Sequence, residues 1–133
     1  MEKEIKELYD AAKKVKEKAY APYSNFHVGS ALRTESGKIF SGCNVENSSY
    51  GVTICAERNA VFKMVSEGEQ KISSILVIGD TEKFLPPCGA CRQVIAEFSD
   101  EHTAVIMCNK DGKSKETTVG EILPFGFSLK EDR

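Results

Sequence analysis

The sequence predicts an α/β fold, a three-layer α/β/α sandwich around a mixed five-stranded sheet. Three observations support this prediction: an amphipathic helix opens the chain, a hairpin follows, and apolar runs of strand and helix length then alternate. Helices that alternate with buried strands cover both faces of a sheet, and a hairpin adds antiparallel strands to it. We expect residues 1–133 to form a single domain.

A helix over residues 2–19 begins the chain, because its apolar side chains recur at spacings of three and four. Residues 26–34 then alternate between two faces, as a half-buried strand does. The turn at residues 35–38 contains a glycine, so residues 39–45 are expected to return as the antiparallel partner. After a polar loop, residues 54–66 show helical periodicity again.

The second half of the chain alternates between strands and helices. Residues 72–78 are almost continuously apolar, which is typical of a strand covered on both faces. A helix is predicted over residues 88–98 and another buried strand over residues 104–108. A polar edge strand over residues 114–119 and one helical turn over residues 120–123 complete the predicted elements.

Composition and charge argue against several classes of function. The net charge of -2 provides no basic surface for a nucleic acid polymer. No apolar run approaches the ~20 residues that cross a bilayer, and the lysine-rich start lacks an apolar signal segment. We therefore expect no membrane partner and a cytoplasmic location. The five cysteines are an odd number, which favours metal binding or burial over disulfides in a reducing compartment.

Three cysteines stand at the starts of two predicted helices. Cys55 precedes Glu57 by two residues, and Cys88 and Cys91 follow Pro87 at C-x-x-C spacing. The positive end of a helix dipole stabilises thiolate over thiol. Zinc prefers tetrahedral sulfur and nitrogen ligands, and three protein ligands leave its fourth position open to water. This pattern predicts a hydrolytic zinc site with Glu57 as a proton shuttle beside it.

Arg58 follows Glu57 and is expected to tune such a site. Three thiolates and Zn²⁺ sum to a charge of -1, which weakens the metal as a Lewis acid; hydrogen bonds from Arg58 to the sulfurs would restore acidity. Two other readings of the cysteines stay open, a thioredoxin-like redox pair and a structural zinc site completed by Cys43 or Cys108. The strand positions of Cys43 and Cys108 favour burial as small apolar side chains.

Four segments of the chain carry a family resemblance: residues 20–26 (YAPYSNF), 42–47 (GCNVEN), 55–57 (CAE) and 87–93 (PCGACRQ). They resemble the zinc-dependent cytidine deaminases, most closely the small homotetrameric enzymes of free-nucleoside salvage. The resemblance extends from about residue 20 to residue 127 and therefore over most of the chain. It implies the cytidine deaminase-like fold.

The resemblance also implies roles for individual residues. One Zn²⁺ per chain would be held by Cys55, Cys88 and Cys91, with Glu57 as the catalytic proton shuttle. The nucleoside would be bound by four further residues. Asn44 and Glu46 would hold the ribose 3′-hydroxyl, Phe26 would flank the pyrimidine, and the backbone N–H of Ala56 would meet the base O2.

A C-terminal segment, residues 123–127, is similar to a family segment whose last phenylalanine stacks on the base in a neighbouring subunit. Phe127 takes that place, whereas Phe125 stands where a small residue is expected. The resemblance therefore implies a homotetramer whose sites are completed across subunits.

The implied reaction is hydrolytic deamination of cytidine and 2′-deoxycytidine to uridine and 2′-deoxyuridine with release of ammonia, a step of pyrimidine salvage. The alternative is a deaminase of the same fold that acts on another cytosine-bearing small molecule, such as a nucleoside antibiotic. Residues 44–47 favour the nucleoside. A polynucleotide deaminase would need a basic surface, and a zinc-stabilised binding module would not need Glu57.

Overall fold

The computed structural model describes residues 1–130 of the chain. Its strands are β1 (Val28–Thr34), β2 (Ile39–Cys43), β3 (Ile72–Gly79), β4 (Ala104–Cys108) and β5 (Ser114–Thr118). They form a five-stranded sheet in the order β2-β1-β3-β4-β5. Among these five described strands only β3 and β4 pair in parallel, so the sheet is mixed, as the sequence predicted, and β5 lies at an edge.

Helices cover both faces of the sheet. The helices are α1 (Lys3–Lys16), α2 (Ala56–Ser66), α3 (Gly89–Glu97) and the single turn α4 (Val119–Ile122). On one face, α1 packs Leu8 and Ala12 against β1, β3 and β4. On the opposite face, α2, α3 and α4 bury a second apolar cluster. The predicted three-layer sandwich is therefore confirmed.

The topology brings the starts of α2 and α3 to one edge of the sheet. Since β2 and β3 are both antiparallel to β1, they run in the same direction, and their carboxyl ends meet at that edge. Gly42 lets α2 lie directly on β2, because a Cβ atom there would come within 2.5 Å of the Ala60 amide nitrogen. The connections that lead into α2 and α3 therefore face each other.

Several local features differ from the predictions. The second strand ends at Cys43 rather than residue 45, and the second helix begins at Ala56 rather than residue 54. The last helical turn, Val119–Ile122, lies one residue earlier than predicted.

The first helix ends at Lys16 rather than residue 19. The first strand begins at Val28 rather than residue 26, and Asn25 ahead of it adopts a left-handed conformation, φ 55°. A 3₁₀ turn, Tyr50–Val52, forms within the predicted polar loop. Within residues 1–130, no helix combines the length and the apolar character that a bilayer crossing needs.

Candidate active site

The three predicted metal-binding cysteines lie together. Cys55 is the N-cap residue of α2, Cys88 is the N-cap residue of α3, and Cys91 lies in the first turn of α3. Their sulfur atoms all lie within 4.8 Å of one another. Cys43 and Cys108 stand on strands β2 and β4 and are not part of this cluster. Thus the convergence of two helix starts builds a three-sulfur site.

Hydrogen bonds divide the charge unequally among the sulfurs. The bond from the Cys91 thiol, with help from Arg58, lowers the pKa of Cys55 to about 5. The same interaction raises the pKa of Cys91, because its proton is held by the Cys55 thiolate and its side chain is buried. Arg58 Nη2 lies 3.5 Å from Cys55 Sγ and 3.5 Å from the Thr53 carbonyl oxygen. Arg58 thus contacts the cluster, as predicted.

The donor set fits zinc. Three sulfurs at helix N-termini offer the soft, ionisable ligands that zinc prefers, and a three-ligand set leaves one coordination position open. A cleft of about 290 Å³ reaches Cys55 and Cys88, whereas Cys91 lies fully buried behind them. A small molecule in the cleft would therefore approach the sulfur cluster from one side.

Glu57 lies in the first turn of α2 and lines the same cleft. Its side chain is only 5% exposed, and burial raises the pKa of its carboxyl to about 7, with a further contribution from the charge of Cys55. Groups that titrate near the working pH are efficient general acids and bases. Glu57 is therefore suited to move protons in this cleft.

The cleft also contains the residues predicted to bind a nucleoside, apart from Phe127. Phe26, Asn44, Glu46 and Ala56 line it. Six other residues line the cleft and were not predicted from the sequence. They belong to the loop before β1, to β1 itself, to the 3₁₀ turn and its vicinity, and to the loop before α3. These are Ser24, Val28, Tyr50, Thr53, Leu85 and Pro86.

Glu46 lines the cleft and also forms hydrogen bonds to the segment before β1. Its Oε1 accepts hydrogen bonds from the backbone N–H groups of Tyr23, at 3.0 Å, and Ser24, at 3.1 Å, and its Oε2 accepts one from the Ser24 hydroxyl. The hydroxyl bond is the main reason why the pKa of Glu46 is lowered. The Glu46 carboxylate therefore fixes the backbone at Tyr23 and Ser24 and also lines the cleft.

Asn44 holds the next part of the same wall. Its Nδ2 donates to the carbonyl oxygen of Phe26 at 2.9 Å, and its Oδ1 accepts from the N–H of Val28 at 2.9 Å. These bonds fix the backbone on both sides of residue 27. The side chain of Asn44 therefore controls where Phe26 stands in the cleft.

Known proteins resemble this chain, and a family model matches a zinc-binding region in it. Residues 2–108 match the family model described as the cytidine and deoxycytidylate deaminase zinc-binding region. The chain belongs to this family. It is 50% identical over 129 residues to a cytidine deaminase of Sporosarcina psychrophila, with 97% of this chain and 94% of that protein covered. A cytidine deaminase of Halalkalibacterium halodurans is 47% identical over 124 residues, covering 93% and 94%.

Solved structures show the same fold. The crystal structure of cytidine deaminase from Burkholderia pseudomallei superposes with a TM-score of 0.88 at 46% identity, covering 96% of this chain and 100% of that chain. A blasticidin-S deaminase of Bacillus cereus is a more distant relative, 31% identical over 110 residues and 77% of each chain. Zinc is thus the cofactor of this family's region, and the three-sulfur cluster can hold it.

Phe127 lies outside the cleft of its own chain. Its side chain is 69% exposed, and its carbonyl oxygen accepts a 3.0 Å hydrogen bond from Gln93 Nε2. Phe125 is also fully exposed and adopts a left-handed φ of 57°.

Zinc content tests the sulfur cluster. We expect the parent protein to bind about one zinc per chain, and Cys88→Ser to lose most of it, since serine keeps a capping acceptor for α3 but supplies no thiolate. Cys43→Ser is the matched control and is expected to retain zinc. Both values come from elemental analysis of the purified proteins. Full zinc in Cys88→Ser would contradict the assignment of the cluster.

Proposed function

We propose that this chain catalyses the zinc-dependent hydrolysis of cytidine and 2′-deoxycytidine to uridine and 2′-deoxyuridine, with release of ammonia. The observation that carries the proposal is a shared cleft. The sulfur cluster and the buried carboxyl of Glu57 open onto the same space as Asn44, Glu46 and Phe26. The near full-length similarity to cytidine deaminases supports this substrate.

Cys55, Cys88 and Cys91 would hold the metal. Zinc bound there supplies Lewis acidity that makes water a competent nucleophile near neutral pH. The sulfurs lie at the N-terminal ends of α2 and α3, where the helix dipoles supply positive potential. At α3 a backbone N–H group also points toward a sulfur, since Cys91 N lies 3.5 Å from Cys88 Sγ.

Glu57 would act as both base and acid. It accepts the proton of the attacking water and delivers it to N3 of cytosine, which makes C4 more electrophilic. After the resulting hydroxide oxygen adds to C4, Glu57 takes the remaining hydroxyl proton and delivers it to the amino group. The bond from C4 to the amino nitrogen then breaks, the C4 carbonyl of uridine forms, and ammonia leaves. A buried carboxyl with a pKa of about 7 can be protonated or ionised near neutral pH, as this sequence requires.

Four residues would position the nucleoside. Glu46 and Asn44 offer a carboxylate and an amide to the ribose 3′-hydroxyl, which can donate and accept. Phe26 would supply an apolar wall beside the pyrimidine, and the Ala56 N–H at the start of α2 would meet the base O2. Each of these residues lines the cleft.

Arg58 would tune the metal without touching substrate. Its contact with Cys55 Sγ draws electron density from a three-thiolate set that would otherwise carry excess negative charge. Arg58 is absent from the lining of the cleft, which supports an indirect role.

We further propose that the protein is a cytoplasmic homotetramer of pyrimidine salvage, in which Phe127 of one subunit stacks on the base bound by its neighbour. The exposure of Phe127 outside its own cleft supports this arrangement. The distant blasticidin-S deaminase relative makes a cytosine-bearing antibiotic the second candidate substrate.

Glu57→Gln tests the catalytic role. The amide has a similar shape but cannot accept and return a proton, so we expect kcat to fall at least ~10⁴-fold while zinc remains bound. Ammonia release would be measured with cytidine, deoxycytidine, cytosine, blasticidin S and oligonucleotides. Glu67→Gln, at the exposed end of α2, is the matched control. A kcat within tenfold of the parent in zinc-loaded Glu57→Gln would refute the mechanism, and a preference for blasticidin S would refute the substrate.

Arg58→Gln tests the tuning of the metal. Loss of a group that supports metal ligands typically costs 10- to 100-fold, so we expect kcat to fall by roughly that factor while zinc stays bound. Arg33→Gln is the control, because it removes an arginine ion pair with Glu7 on the far side of the sheet. Equal kcat values for the zinc-loaded variant and the parent would exclude the tuning role.

Phe127→Ala tests the shared site. Loss of base stacking, ~1–3 kcal/mol, would raise KM for cytidine roughly 5- to 150-fold. Phe125→Ala is the control that shows which aromatic side chain reaches substrate. If the tail crosses between subunits, exchange of Phe127→Ala subunits with inactive Glu57→Gln subunits should partly restore the parent KM. Proven exchange without any recovery would place Phe127 in its own subunit's site or in none.

A further inference from the structure

The C-terminal tail, defined here as residues 123–130, combines a held backbone with exposed side chains. Phe125, Phe127 and Leu129 are 105%, 69% and 88% exposed. Beyond α4 the tail has no regular secondary structure within residues 123–130, so helix or sheet hydrogen bonds do not fix its course. Its position must come from other contacts.

Helix α3 provides those contacts at three points. Arg92 Nη1 donates to the carbonyl oxygen of Ile122 at 3.0 Å, where the tail begins. Gln93 Nε2 donates to the carbonyl oxygen of Phe127 at 3.0 Å. Lys130 Nζ donates back to the carbonyl oxygen of Glu97 at 2.5 Å. The tail therefore lies along α3 and is tied to it near its start, middle and end.

The middle contact has a specific geometric consequence. It binds the backbone of Phe127 itself, whereas the ring of Phe127 stays largely exposed. An exposed aromatic on an untied segment would sample many backbone positions and would lose that freedom on binding. A backbone already held by a hydrogen bond loses less conformational entropy on binding. Such preorganisation raises affinity without a new contact to the ligand.

We propose that Gln93 is the positioning residue for Phe127, and that it thereby sets the substrate affinity of the neighbouring subunit's site. This inference rests on the proposed function, in which Phe127 stacks on a base held by another subunit. Gln93 touches no substrate in this scheme and acts only through the Phe127 backbone.

Arg92 supports the same arrangement but is a poorer target for a test. Its Nε also donates to the carbonyl oxygen of Pro87 at 2.8 Å, next to Cys88. Substitution of Arg92 would therefore disturb the sulfur cluster together with the tail. Gln93 is half-buried on α3 and lines no part of the cleft, so its removal isolates the tail contact.

The first measurement is the steady-state kinetics of Gln93→Leu with cytidine. Loss of one neutral hydrogen bond predicts a rise in KM of about two- to tenfold, with kcat within about twofold of the parent. The matched control is Gln70→Leu, the same substitution at an exposed glutamine between α2 and β3. Gln93→Glu keeps the side-chain length, cannot donate from its carboxylate, and should raise KM as well. It keeps the test open if the leucine variant folds poorly.

The second measurement is a double-mutant cycle. If Gln93 acts through Phe127, Gln93→Leu should raise KM no further in the Phe127→Ala background. Subunit exchange of Gln93→Leu with inactive Glu57→Gln should partly restore the parent KM, because the intact tail then comes from the partner.

The possible outcomes distinguish the role of Gln93 from the shared site that Phe127 is proposed to complete. If Phe127→Ala leaves KM unchanged, the shared site and the role of Gln93 both fail. If Phe127→Ala raises KM but neither Gln93 variant does, only the role of Gln93 fails. A full additional rise in KM from Gln93→Leu in the Phe127→Ala background would also overturn it, since Gln93 would then act by another route.

Discussion

The site depends on an electrostatic constraint: three sulfurs within 4.8 Å of one another share a cleft with a buried carboxyl. Four anions cannot coexist there without a compensating cation. In the chain alone, Cys55 carries the thiolate, Cys91 keeps its proton, and the pKa of Glu57 rises to about 7. Arg58 and two helix N-termini supply the remaining positive potential. Zinc fits this environment because it replaces the thiol protons with a divalent charge.

The fold satisfies this constraint through strand direction and close packing. Because β2 and β3 run the same way, the helices that follow them begin at the same edge of the sheet. Gly42 removes the side chain that would hold α2 away from β2, so Cys55 and Glu57 approach α3. Two separate sequence segments, about thirty residues apart, thereby supply one metal site.

Sequence reasoning predicted the sheet, its helices and the three cysteines well, because each leaves a local pattern of spacing or periodicity. It did not predict the 3₁₀ turn at Tyr50, the left-handed Asn25, or the placement of Leu85 in the cleft. Asn25 follows residues 23 and 24, whose backbone N–H groups donate to Glu46 in a segment distant in sequence. A contact of this kind leaves no pattern of spacing or periodicity in either segment. The roles of Phe26, Asn44, Glu46, Ala56 and Phe127 came from the family resemblance alone and stay proposals.

Asn44 combines a structural role in the backbone with a proposed role in sugar binding. The residue proposed to meet the sugar also fixes the backbone on both sides of His27 and so holds the aromatic wall proposed for the base. A mutation that altered sugar preference at position 44 would displace the base wall at the same time. If the proposed roles hold, sugar and base recognition in this protein are physically coupled through one side chain.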